Sequence, residues 1–260
     1  MGADLGTPSI RVTACGPLCA RFESAAAPRA PDAEIAWYRE RLPRGAGSVL
    51  EAMCGHGRLL VPLLEAGAQI HGVDVSSAML AECAALLARA SLTAPLFRQD
   101  ITELNLPFRY GAAFIAGGSF QHLTDVDRAR AALARIRAHL VDPGYLFLDL
   151  YVPAERTQRI AAPLVEVRST SLADGSRIAL RSETTMHPDA RFARTELRYV
   201  HRRGNDLLGE EGELRAVVWY SPDDIANLVG EAGFRVVEVG PPAHEAGEGT
   251  AFSISARALS

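Results

Sequence analysis

The sequence predicts an α/β fold: a doubly wound, mainly parallel seven-stranded sheet with an antiparallel β insert before its last helix. Three observations predict it. Strands and amphipathic helices alternate from about residue 48 to residue 152. A glycine turn, Cys54-Gly55-His56-Gly57, follows the first strand, and an acidic residue, Asp74, ends the second. Helical signal then vanishes between Pro153 and Tyr220, and one helix and two strands close the chain.

The elements follow in order. Residues 1–34 are rich in Ala, Pro and Gly and are expected to form a partly helical lid. A helix starts near Pro31-Asp32 and runs through EIAWYRERL, stopping before Pro43 because a residue ahead of proline is pushed out of the helical region. SVLEAMC is a buried strand and GRLLVPLLEAG a helix ending at Gly67. QIHGVDV is the second strand, and SSAMLAECAALLARA a helix capped by Ser76. PLFRQDI and YGAAFIAGG are the third and fourth strands. A helix opened by Thr124 closes near Pro143-Gly144, and GYLFLDLYV is the fifth strand.

The insert reads as four strands, LVEVRSTSL, SRIALRSETTM, RFARTELRYVH and GELRAVVWY, with a hairpin at Asp174-Gly175 and a turn at Gly204-Asn205-Asp206. Thr195, Leu197, Tyr199 and His201 alternate with Arg194, Glu196 and Arg198, as in a sheet with one wet face. SPDDIANLVGEAG restores a helix, with Ser221 as its cap and Pro222 at its first position; FRVVEVG and TAFSISARA are the last strands. The expected organisation is a core of residues 35–152 and 221–260 and an insert of residues 153–220.

Composition narrows the class. The chain has 260 residues, 48% hydrophobic, and a net charge of -4, which argues against a protein held on nucleic acid by a broad basic surface. All 27 basic residues are arginine, which excludes a Schiff-base, Walker or dehydrogenase lysine. Four cysteines show neither a CxxC pair nor a zinc-spaced cluster, so no metal is expected; such sparse use fits a reducing cytoplasm. No apolar run reaches the roughly 18 residues of a membrane span.

The glycine turn carries the chemistry. Its glycines let backbone N–H groups approach a ligand, and the helix that follows offers its positive end to an anionic group. Asp74, seventeen residues past Gly57, is placed to accept the hydroxyls of a ribose. A dinucleotide fingerprint needs a third glycine where this chain has Leu60, which disfavours NAD. Glu51, at the leading edge of the turn, complements a ligand with an ammonium and a sulfonium.

On the blocks LEAMCGHGR, GVDVSSAML, RQDITEL and AGGSFQHL, the sequence resembles the class I S-adenosylmethionine-dependent methyltransferases, in particular glycine N-methyltransferase-like and peptide or amino-sugar N-methyltransferases. The resemblance covers about residues 35–151 and the last forty. It implies S-adenosylmethionine as cofactor and S-adenosylhomocysteine as product. By that likeness Gly55 and Gly57 hold the methionine part with Glu51 and Cys54 nearby, Asp74 holds the ribose, Val75 and Met79 pack on adenine, and Asp100 accepts its amino group beside Ile101. Gly117 and Ser119 follow the fourth strand, where the methyl group would lie, and Tyr38 and Arg41 close over the methionine end. His122 is a candidate base or acceptor-positioning group.

The implied reaction is methyl transfer to N or O of a small molecule or peptide by in-line displacement. The insert is expected to cover the acceptor, with His187, His201 and Trp219 as candidate pocket residues and Tyr220 beside them. No nucleic acid or membrane partner is expected, and an edge strand of the insert would serve a homodimer. Two other readings share the loop: a protein that binds the cofactor without methylating, such as a cyclase or regulatory module, and an NAD-dependent oxidoreductase.

Overall fold

The computed structural model describes residues 14–42, 48–153, 162–243 and 250–259; the first thirteen residues of the expected lid, and the expected helix stop at Pro43, lie outside them. The main sheet has seven strands in the order β10-β11-β5-β4-β1-β2-β3. Its centre is β1 (Val49–Ala52), flanked in parallel by β2 (Ile70–Asp74) and β4 (Tyr110–Ile115); β3 (Leu96–Arg98) and β5 (Leu140–Val152) continue the parallel run on either side. β11 (Thr250–Ala258) pairs antiparallel with β5, and β10 (Phe234–Gly240) antiparallel with β11. This is the expected doubly wound sheet. Strand order reverses between β1 and β4, and the crevice beyond their C-terminal ends is where such a sheet holds ligands.

Both faces are covered, which is why β1 and β4 are buried at every residue rather than alternating. On one face α5 (Val126–Ala138) and α6 (Pro222–Glu231) bury Leu133, Ile136, Ile225 and Val229 against Leu146, Leu148 and Ile254. On the other, α2 (Asp32–Arg41), α3 (Leu60–Glu65) and α4 (Ser77–Arg89) bury Tyr38, Leu60, Leu63, Cys83 and Leu87 with Phe114 and Phe147. Ser76 caps α4 by accepting from Met79 N at 3.1 Å, as expected. α5 differs: Asp125, not Thr124, accepts from the first-turn N–H groups, and the helix ends at Ala138. α3 is shorter than its apolar run suggests, because the glycine turn occupies the chain up to Leu59.

The insert is a second sheet of four antiparallel strands, β6 (Leu164–Ser171), β7 (Arg177–His187), β8 (Phe192–Arg203) and β9 (Asp206–Val218), in sequence order. Leu197, Tyr199 and His201 are buried, while Arg194, Glu196 and Arg198 are exposed, as the alternation requires. β9 starts six residues earlier than GELRAVVWY and ends before Trp219.

The N-terminal segment contains α1 (Pro17–Ala26), whose weak periodicity reflects contacts on several sides. Cys19 and Phe22 pack against Ile178, Leu180, Leu197 and Tyr199 of the insert. Glu211 of β9 caps α1 from outside, accepting from Leu18 N and Cys19 N at 3.0 Å each. Gly16 leaves the space: a Cβ there would sit 2.7 Å from the Glu211 carboxylate. Cys15 and Cys19 are joined as a disulfide, although their spacing carries no pairing signal, so sparse cysteine use no longer argues for a reducing compartment. Among the described residues no helix is long and apolar enough to cross a membrane.

Candidate cofactor and acceptor site

The turn after β1 is built by left-handed backbone. Gly55 and Gly57 stand at φ +55° and +83°, and Met53, a non-glycine, at +59°. Gly55 N donates to Asp74 Oδ2 at 2.9 Å, and Ser76 N donates to Asp74 Oδ1 at 2.8 Å. Asp74 therefore fixes both the glycine turn and the start of α4, and each carboxylate oxygen keeps a second lone pair for a hydroxyl donor. Burial raises its pKa against the pull of those N–H groups. Cys54 is buried beside Cys83; a hydrogen bond to Cys83 and then burial hold its thiol well above the usual range, so it is not a nucleophile. His56 Nε2 donates to Ala27 O at 2.9 Å, tying the turn to the stretch between α1 and α2.

Behind the turn lies a buried polar cluster. Glu51 is 4% exposed, its Oε2 has no hydrogen-bond partner, and burial pushes its pKa well above the carboxylate range. The Tyr38 hydroxyl is also buried without a partner; burial first, then the field of Asp149, raises its pKa. Arg58 reaches Glu34 with both terminal nitrogens, at 2.6 and 2.9 Å, and its Nη2 lies 2.9 Å from where a Cβ on Gly117 would stand. Asp149, fully buried on β5, accepts from Gly117 N and from Ala243 N at 3.3 Å each.

Sequence reasoning singled out neither Arg58 nor Asp149. Both carried a signal: Arg58 is the charge inside LEAMCGHGR, and Asp149 interrupts the apolar strand LFLDLYV. Arg41, expected over the methionine end, has its guanidinium 4.2 Å from the Trp37 ring centre on the same helix.

Around the outer side, Val75 is exposed, Ile101 is buried, and Met79 joins the cluster beneath α1, its sulfur 3.9 Å from a Cβ placed on Gly55. Asp100 caps the turn that follows it, accepting from Thr102 N and Oγ1 at 2.9 and 2.8 Å, and pairs with Arg128 at 2.7 Å. Burial pushes its pKa up, but Thr102 and Arg128 outweigh that and hold it below normal. Its oxygens thus serve the turn first.

After β4, Gly117 and Gly118 take φ +59° and +72°, and a short 3₁₀ turn spans Ser119–His122. Gln121 and His122 dock the insert here. Gln121 Nε2 donates to Tyr151 O and Val218 O, and Tyr151 N donates back to Gln121 Oε1. His122 Nδ1 donates to Ala216 O at 2.9 Å, which puts the proton on Nδ1 and leaves Nε2 a lone pair. Burial lowers its pKa to about 4, so the ring is neutral near pH 7 and weakly basic. The same two bonds occupy carbonyls on the outer edge of β9.

The three expected acceptor-pocket residues do not converge. His187 is exposed at the hairpin tip and pairs in register with Phe192; His201 lies nine residues further along β8, ~30 Å at about 3.3 Å per residue. His201 is buried with Nε2 2.7 Å from Ser176 Oγ, and Trp219 is buried in the core, its backbone N–H donating to Arg191 O. Period-2 patterning identifies a face, but not how far along a strand the cofactor end lies. Tyr220 packs by Phe120 with ring centres 6.2 Å apart.

Residues 49–144 match the family described as a methyltransferase domain. That match spans the strand, glycine turn and acidic partner described above. It is 26% identical to a protein of Geobacillus sp. (strain WCH70) named as a methyltransferase, over 75% of this chain and 77% of that one. It is 28% identical to the dTDP-3-amino-3,6-dideoxy-alpha-D-glucopyranose N,N-dimethyltransferase of Streptomyces fradiae, over 59% of each chain. Its fold matches the crystal structure of an S-adenosylmethionine-dependent methyltransferase from Clostridium acetobutylicum with a TM-score of 0.73, at 14% identity over 92% of this chain and 96% of that one.

The residues of the matched segment fit S-adenosylmethionine, the cofactor the loop led us to expect. Its methionine end carries an ammonium, and Glu51 Oε2 is a buried, unpartnered acceptor behind the turn. NAD has no corresponding need. Leu60, in place of a third glycine, is fully buried, with Cδ1 2.8 Å from where a Cβ on Gly72 would be. The close approach of helix and strand is made by Gly72 of β2, and Leu60 fills the space a dinucleotide-binding domain keeps open.

Proposed function

We propose that the protein transfers a methyl group from S-adenosylmethionine to an amine nitrogen of a small-molecule acceptor. The observation that carries the cofactor half is Glu51 Oε2, a buried acceptor atom lacking a partner at the end of β1. Bound S-adenosylmethionine supplies an electrophilic methyl on a sulfonium. Glu51 holds the ammonium, with Tyr38 and Arg58 closing that end and Asp74 holding the ribose hydroxyls. Val75, Met79 and Ile101 flank the adenine side, and Asp100 steadies the turn beside it. Gly117 and Ser119 border the methyl group.

The choice of nitrogen over oxygen follows from the chain's own bases. His122 is held to about 4, too weak to ionise an alcohol, whereas a neutral amine needs only alignment and exclusion of water. The named relative acts on an aminodeoxy sugar, which supports an amino-bearing acceptor of that size.

We place a homodimer contact, as expected for the insert, along β6. It is an end strand of its sheet and exposes Val165 and Val167 at 51% and 72%. Light scattering after size exclusion tests it, with Val167→Glu expected to give the monomer mass.

Titration calorimetry with S-adenosylhomocysteine, followed by transfer of labelled methyl to a panel of amines, tests the function. Binding with labelled N-methyl product supports it. No binding removes the cofactor reading, and labelled O-methyl product alone removes the nitrogen.

A further inference from the structure

The inner face of the insert carries polar side chains that neither the fold nor the cofactor accounts for. On β8 and β9 that face presents Thr195, Leu197 and Tyr199 opposite Arg215, Glu213 and Glu211. α1 covers it: Phe22 meets Tyr199 edge-on, with ring centres 5.8 Å apart. Beneath this cover two side-chain oxygens are buried with no partner, Tyr199 Oη and Glu213 Oε2. Tyr199 is fully buried and the Glu213 side chain is 5% exposed. Glu213 is one diagonal step from Tyr199 in the ladder, yet neither bonds the other. Buried polar atoms nearly always find partners, so two orphans on one face point to a guest.

The charge of the cluster has a sign. Glu213 Oε1 accepts from Arg215 Nε and Nη2 at 3.3 and 3.2 Å, and Glu23 of α1 approaches Arg215 Nη1 at 3.9 Å. Two carboxylates face one guanidinium, leaving one negative charge, and the free carboxylate oxygen is acceptor-only. Burial raises the Glu213 pKa against the pull of Arg215. Cys15 and Cys19 lie within 4.8 Å of the Glu213 carboxylate, but their sulfurs are joined in a disulfide and offer no thiolate to a metal.

The cluster sits against the cofactor end. Cys15 O accepts from Ser76 Oγ at 2.6 Å, and Ser76 N donates to Asp74. On the other side, His122 holds the carbonyl of Ala216, the residue after Arg215. Through Cys15 and through β9, the cluster is thus linked to Asp74 and to the turn after β4.

We propose that Tyr199 Oη and Glu213 Oε2, set by Arg215, form the recognition site for the acceptor's amino group, which arrives as an ammonium donating to both oxygens and gives a proton to Glu213 before the neutral nitrogen takes the methyl group. This rests on the methyltransferase reading above. It makes the acceptor a primary or secondary amine, selected over its hydroxyl counterpart by a negative charge that an alcohol does not balance.

The test uses the full chain with three readouts: the Kd for S-adenosylhomocysteine, the Tm, and binding of amines to the protein saturated with S-adenosylhomocysteine. The amine panel includes dTDP-3-amino-3,6-dideoxyglucose, with dTDP-6-deoxyglucose as hydroxyl control. Tyr199→Phe and Glu213→Gln should leave the S-adenosylhomocysteine Kd within about twofold, and Tyr199→Phe should leave the Tm unchanged or raised, because it removes an unpaired buried hydroxyl. Each should weaken amine binding at least tenfold, and the wild type should prefer the amine to the control. A Tm lowered in both variants, with amine affinity intact, would make the pair structural and overturn the site. So would an S-adenosylhomocysteine-loaded wild type that takes no amine, or an alcohol bound as well as the amine. Failure of the wild type to bind S-adenosylhomocysteine would overturn the methyltransferase reading itself, and this inference with it.

Discussion

Arg58 grips Glu34 through both terminal nitrogens, at 2.6 and 2.9 Å, and so docks α2 onto the glycine turn. Glu34 is 1% exposed, so its charge is tolerated only because a planar, bidentate partner meets it. Arg58→Ala leaves that carboxylate buried and alone, and should cost about 3–5 kcal/mol in a denaturant melt. It should also weaken S-adenosylhomocysteine binding in calorimetry, because Tyr38 rides on the same helix. Replacing both partners by methionine should restore most of the stability without restoring cofactor affinity.

Glu51→Gln separates fold from function. The carboxyl pKa is raised by burial, so its favourable contribution is full below the unfolded value of about 4.3 and is lost as pH rises through the folded value. The apo wild type should therefore lose stability with rising pH across that window, and Glu51→Gln should flatten this part of the profile. The same change removes the ammonium's partner, so the Kd for S-adenosylhomocysteine should rise tenfold or more. A variant that binds as tightly as wild type would take Glu51 out of the site.

These two residues also show what a sequence makes legible. Glu51, Gly55, Gly57 and Asp74 were readable because strand, turn and strand place them together locally, and the register of β1 against β2 then follows from the same apolar runs. Arg58 was not, because its partner Glu34 comes from a helix 24 residues earlier whose docking no local pattern specifies. The insert's strands and their wet face were legible from alternation. Its placement was not, because that rests on Gln121 and His122 seizing backbone carbonyls of β9, acceptors that every residue type offers. Nor was the cap on α1: Glu211 reaches it from 193 residues away.

Gly57→Ala tests the turn. Gly57 stands at φ +83°, and an added Cβ would lie 2.6 Å from Cys83 Sγ, so the substitution meets both backbone strain and a clash. The strain alone is worth about 1–3 kcal/mol. Adding Cys83→Ala should recover the contact part and leave the strain, giving a melt between those of Gly57→Ala and wild type. Full recovery in the double variant would mean that the turn tolerates a left-handed alanine.

His122→Gln decides between a base and a tie. Burial lowers the folded pKa of His122 from 6.5 to about 4, despite the bond to Ala216 O. A depressed pKa contributes stability that is present above the unfolded value and is lost as pH falls toward the folded one. At about 1.4 kcal/mol per pH unit this amounts to roughly 3 kcal/mol between pH 6.5 and 4. Glutamine can donate to the same carbonyl without titrating, so His122→Gln should match wild type at pH 7 to within about 1 kcal/mol in urea melts. It should lack this component of acid destabilisation at pH 4.5. A general base contributes on the order of a hundredfold or more to rate. A tie between insert and core does not, so methyl transfer by His122→Gln at pH 7 should stay within a few fold of wild type. A loss of a hundredfold at unchanged stability would return His122 to the chemistry.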